Sequence, residues 1–134
     1  MSGSREHSRT LLERSKGDGH VAATLAADAG APPWSVGFHA QQAIEKAIKA
    51  VLAHHATDYP FTHDILLLIE VLRTKGIETP PDAEELAILT PFAAAWRYDD
   101  PLQESGSIDA GWMLNRVGQT IAWADAILTK GQDS

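Results

Sequence analysis

The chain contains no cysteine among its 134 residues. That excludes a disulfide scaffold and a thiolate metal centre, and it fits a reducing compartment. Long apolar runs are missing too. No stretch approaches the roughly 18 residues of a membrane span, and the opening M-S-G-S-R-E-H-S-R-T carries no apolar signal core. A cytoplasmic chain without membrane contact is expected. Positive charge is scarce: 11 Lys and Arg stand against 18 Asp and Glu, a formal net charge of −7. Binding to a DNA duplex needs basic charge to displace counterions, so it is not expected, and any RNA contact must be local or shared with a basic partner. No glycine-rich phosphate loop and no nucleophile motif occurs. No segment alternates apolar and polar residues long enough to make a strand, and no repeat is visible.

What is present is helical periodicity. Between Trp34 and His55, the residues Trp34, Gly37, Phe38, Ile44, Ile48, Val51 and Leu52 share one broad sector of a helix. Ala40, Ala43, Ala47 and Ala50 form a strip that lets a second helix approach closely, while Gln42, Glu45, Lys46 and Lys49 fall on the opposite, polar side. Gln41 points into the apolar sector, where a buried amide must find partners on another element or line a polar pocket.

The other elements follow from local signals. Residues 1–8 are polar and expected to fray, ahead of a single domain over 9–130. A first helix is predicted from Arg9 to Asp28, broken or kinked near Lys16–His20 by Gly17 and Gly19. Thr62 is the expected cap of a third helix, and Pro80–Pro81 open a fourth that Pro91 bends and whose buried face includes Ile88, Phe92 and Trp96. Ser107 is the expected cap of a last helix from Ile108 to about Lys130, closed by Gly131. The fold class is all-α: an up-and-down bundle of four to five helices with short loops.

The run F-H-A-Q-Q-A-I-E-K-A-I-K-A from Phe38 to Ala50 resembles the central helix of HEPN domains, the "higher eukaryote and prokaryote nucleotide-binding" family. Thr62-His63-Asp64-Ile65 and Arg97-Tyr98 extend the likeness, which covers about Leu11 to Leu128. The resemblance implies the same helical fold. It also implies a ribonuclease motif in which an arginine is followed five positions later by a histidine, the arginine stabilising phosphorane charge and the histidine moving the proton of the 2′-hydroxyl. Arg97 fits the first position, but the second is Leu102, and no histidine follows His63 anywhere in the chain. An enzyme is therefore not the favoured expectation.

The favoured function is a non-catalytic module that binds a nucleotide or RNA end as a homodimer. By resemblance, it acts with a separate minimal nucleotidyltransferase in a toxin–antitoxin-like pair. The alternatives are a ribonuclease toxin with a degenerate site and a structural adaptor without ligand. Arg97, Tyr98 and His63 are the candidate nucleotide-binding residues. Against that, Arg97 can instead pair with Asp99 or Asp100 at a helix end, and His63 can serve structurally beside a neighbouring loop. Trp112, Arg116 and Trp123 form a stripe on the last helix that suits either core or a dimer interface. No cofactor is expected. No metal is expected either, since adjacent His54 and His55 point about 100° apart, unlike an i,i+4 ligand pair.

Overall fold

A computed structural model describes residues 2–97 and 109–133, and its side chains over 4–93 and 109–130. The elements are α1 (Ser2–Ala26), α2 (Pro33–His54), α3 (Ile65–Thr74), the short α4 (Ala83–Leu86), a 3-10 helix (Ala87–Arg97) and α5 (Ala110–Asp133). Every regular element among the described residues is a helix, with no strand among them. None of the helices is long and apolar enough to cross a membrane.

The central element α2 packs against α1, α3, the 3-10 helix and α5. Pro33 sits in its first turn, where a missing N–H breaks no helical bond. The alanine strip does what small side chains allow: Ala40, Ala43, Ala47 and Ala50 are wholly buried. The buried Ser15 hydroxyl of α1 donates to the Ala43 carbonyl at 2.5 Å. Asp18 of α1 then clamps α2 by accepting from Lys46 at 2.6 Å and pairing with His39 at 3.0 Å.

Several boundaries differ from the sequence expectation. α1 starts at Ser2 and runs unbroken through Gly17 and Gly19. At Gly19 the reason is tertiary. A Cβ added at Gly19 would stand 3.2 Å from Val117 and 3.3 Å from Ile121 of α5, so the bare backbone lets the two helices close up. That gain offsets the intrinsic cost of glycine in a helix, about 1 kcal/mol. The fourth helix keeps α geometry for four residues only, then tightens into the 3-10 helix that carries Pro91. Its Ile88 is exposed rather than buried, whereas Leu86, Leu89 and Phe92 enter the core. Trp96 lies beyond the described side chains. α5 does not stop at Gly131 but continues to Asp133. Ser107 lies outside the described residues, and Asp109 accepts from the Trp112 N–H at 3.2 Å at the start of α5.

Candidate polar site at the α2–α3 junction

Gln41, Glu45 and Lys49 are spaced four apart, so their side chains stack along one edge of α2. Glu45, expected on the solvent side, is buried, its side chain 4% exposed. The amide of Gln41 donates to Glu45 Oε1 at 2.9 Å and to the His63 carbonyl at 3.0 Å. Gln42 donates to Gln41 Oε1 at 2.6 Å. Lys49 Nζ lies 2.8 Å from Glu45 Oε2, and His63 Nδ1 lies 2.8 Å from Glu45 Oε1. Gln41 thus meets the demand of a buried amide, partly on its own helix and partly on the loop ahead of α3.

Burial pushes the Glu45 carboxyl up, but the hydrogen bonds from Lys49, Gln41 and His63 outweigh it and hold the group below the usual carboxylate range. The ionised Glu45 makes His63 Nδ1 the donor. In the neutral ring the acceptor lone pair then sits on Nε2, on a side chain that is 67% exposed. Both the backbone and the ring of His63 are tied to α2, so the residue is fixed in orientation while open to solvent.

The start of α3 is already occupied. Asp64, not Thr62, is its cap and accepts from Leu66 N and Leu67 N. Thr62 Oγ1 takes the Asp64 N–H at 3.0 Å, and Thr90 Oγ1 of the 3-10 helix takes Ile65 N at 3.3 Å. An anion would have to displace these acceptors, so this helix end is not an open phosphate site.

The loop between α2 and α3 carries aromatic residues that the sequence analysis did not single out. Ala56 takes a left-handed turn at φ 52° directly after α2. Lys49 Nζ then lies 5.7 Å from the Tyr59 ring centroid, and the Tyr59 hydroxyl lies 3.1 Å from His7 Nε2 of α1. Burial, and next the charge of Glu45, raise the Tyr59 phenol, which keeps its proton. Phe61 projects entirely into solvent. Beside it is a hollow of about 350 Å³ lined by His7, Asp58, Tyr59 and Phe61 among others. Two larger hollows, about 550 and 540 Å³, lie elsewhere, one along Trp123 and Ile127 and one by His54 and Lys75.

Of the residues expected to bind nucleotide, His63 belongs to this network. Arg97 closes the 3-10 helix, and its side chain, with Tyr98 and Leu102, lies outside the described residues. At a 3-10 rise of roughly 2.0 Å per residue, Arg97 is about 14 Å along the helix from Thr90. The stripe on α5 is used within the chain. Trp123 is buried in the core, and Trp112 is partly buried against it. Arg116 lies over the Trp112 ring at 5.2 Å and pairs with Asp82 and, at 3.1 Å, Glu85. The stripe therefore fastens α5 to the start of α4. His54 and His55 cross edge to face at 5.2 Å. Burial, then the neighbouring His55 and Arg5 charges, hold His54 below the usual histidine range. Among the described residues, no three His, Asp or Glu side chains gather as metal ligands.

A family model described as HEPN domain matches residues 8–127. No curated protein and no solved structure gives a significant match.

Proposed function

This chain belongs to the HEPN domain family, and from that premise we propose that it is a non-catalytic module binding a nucleotide or an RNA end. It works in the cytoplasm as a homodimer beside a separately encoded minimal nucleotidyltransferase, in a toxin–antitoxin-like pair. Arg97 and Tyr98 serve the phosphate and base, and His63 completes the cleft. The observation that carries the non-catalytic assignment is Leu102, five residues after Arg97, in a chain with no histidine beyond His63. A leucine exchanges no proton, so the general acid–base half of the chemistry is missing at that position. The net charge of −7 makes the affinity modest and salt-sensitive.

The purified protein is expected to bind mononucleotide or short RNA and to leave RNA uncleaved. Arg97→Ala should weaken binding while moving the thermal midpoint little. Cleavage that disappears in Arg97→Ala would restore the ribonuclease alternative. New cleavage in Leu102→His would show that only the proton carrier is lacking. Co-expression with the adjacent reading frame's product, followed by copurification, tests the partner.

The dimer is a separate expectation. A stable two-fold pair should bury on the order of 1,500 Å² or more in total. Light scattering at tens of micromolar should give twice the 14.5 kDa chain mass, and a monomer there removes the dimer from the proposal.

A further inference from the structure

The two larger hollows adjoin one another, since Glu78, Ile127 and Lys130 line both. One of them is basic. His54 and His55 at the end of α2, Lys75 at the end of α3 and Lys130 near the end of α5 surround about 540 Å³. Of the five lysines in the chain, Lys16 pairs with Asp125, Lys46 with Asp18 and Lys49 with Glu45. The two with no carboxylate partner among the described residues, Lys75 and Lys130, are the two that line this hollow. Glu78 lines it as well and pairs with neither. Lys75 is not needed as a helix cap either. The last carbonyls of α3 already accept backbone N–H groups, Val71 from Lys75, Leu72 from Ile77 and Arg73 from Gly76. Gly76 supplies the left-handed turn, φ 69°, that this closure requires. α2 closes in the same way over Ala56, with Leu52 accepting from the Thr57 N–H. The negative ends of both helices are thus satisfied without the lysines, whose long flexible stems let two ammonium groups meet on one ion.

The other hollow, about 550 Å³, has mostly apolar walls that include Trp123, Ala126 and Ile127. Gln119 lines it too. Its Oε1 accepts from Arg116, which leaves the amide N–H groups without an acceptor among the described residues. We propose that the joined hollows hold a nucleotide, its phosphate monoester between Lys75 and Lys130 and its base in the apolar half beside Gln119. A phosphate monoester carries roughly 1.5 to 2 negative charges at pH 7, which two ammonium groups balance, whereas a backbone diester carries only a single charge. The rings of His54 and His55, without hydrogen bonds among the described residues, add N–H donors to the same space. A base brings apolar faces for the walls and ring acceptors for Gln119. The inference rests on the nucleotide or RNA-end reading proposed above and gives it a second place, at the opposite end of α3 from His63.

The test is a titration of the ¹⁵N-labelled full chain, read at the Gly76 amide and the Trp123 indole N–H, one signal for each half. The probes are adenosine 5′-monophosphate, adenosine, inorganic phosphate, and one RNA hexamer with or without a 5′-phosphate. The monophosphate should move both signals and bind at least about tenfold tighter than adenosine or phosphate, because each of these fills only one half. A chain carrying both Lys75→Gln and Lys130→Gln should lose the advantage over adenosine. Both lysines are exposed, so the fold survives their replacement, which the thermal midpoint checks. A hexamer that gains from its 5′-phosphate as the mononucleotide does identifies an RNA end as the source, and hexamers that bind alike identify a free nucleotide. Adenosine binding as tightly as the monophosphate, or a double variant that keeps the preference, removes the phosphate half. Inorganic phosphate binding as tightly as the monophosphate removes the base half. Either result overturns the site, as does binding that moves neither signal, while nucleotide binding elsewhere on the chain stands. If none of the nucleotides or hexamers binds at all, the site and the proposed binding function both fall.

Discussion

Phe92→Ala should lower the stability of the chain by about 3–5 kcal/mol, and Gly37→Ala, harmful alone, should cost almost nothing once Phe92 is gone. Phe92 is buried in the core with its ring laid on the backbone of α2 at Gly37. A Cβ built at Gly37 would meet three ring carbons at 2.2, 2.5 and 2.7 Å. Real side chains do not approach so closely, so Gly37→Ala in the wild-type chain must push the ring out of its seat. Overpacking of that kind costs about 1–3 kcal/mol, sometimes more. Remove the ring and the methyl group enters free space, where alanine's better helix propensity assists it. Urea unfolding of the two single variants and the double variant gives the coupling directly. A Gly37→Ala chain as stable as wild type, or one equally destabilised with and without Phe92, would mean the ring does not rest there.

The second large effect belongs to Glu45. Glu45→Ala is expected to cost about 3 kcal/mol, because it strips Lys49, Gln41 and His63 of their shared acceptor and leaves a largely buried ammonium behind. Glu45→Gln keeps the shape and should cost less. The pH dependence has a definite sign. The folded-state carboxyl lies below its unfolded value, so its contribution is complete above the unfolded value of about 4.3 and is lost as pH falls through the folded one. The stability difference between wild type and Glu45→Gln should therefore shrink steadily as pH falls below about 4. Urea midpoints for the two proteins between pH 3 and 7 provide the check. A difference that stays flat between pH 4 and 3 would mean that Glu45 is not held ionised in the fold.

These two sites mark how far the sequence was legible. The α2 periodicity located the core helix to within a residue, because its apolar sector and alanine strip agree with each other. Gln41 announced itself as a polar residue on an apolar face. Glu45 did not, since a charged residue beside Lys46 and Lys49 fits an ordinary solvated edge. Its burial depends on the loop ahead of α3 folding over it, a contact 18 residues away. The visible clue was the i,i+4 series Gln41–Glu45–Lys49, with an acceptor at its centre and donors on both sides. Gly19 misled for a similar reason: its cost is local and its benefit lies on α5. Thr62 and Asp64 are both good caps; Asp64 takes the role by accepting from Leu66 N and Leu67 N, while Thr90 across the bundle accepts from Ile65 N. Phe61 could not be distinguished from a core aromatic, because exposure is decided by neighbours that a single sequence does not arrange.

The placement of α2 at the centre of the bundle also bears on how the chain is made. α1 and α2 are neighbours in sequence, so they can pair as soon as both have left the ribosome, with only a short connection to close. The flank of α2 that α5 covers has no such early partner. It waits until Met113, Val117, Ala124 and Leu128, all buried in the finished bundle, have been synthesised. Until then a nascent chain presents that flank of α2 as a partly bare helix face. That interval is when the protein is most open to chaperone capture or to pairing with another unfinished copy of itself.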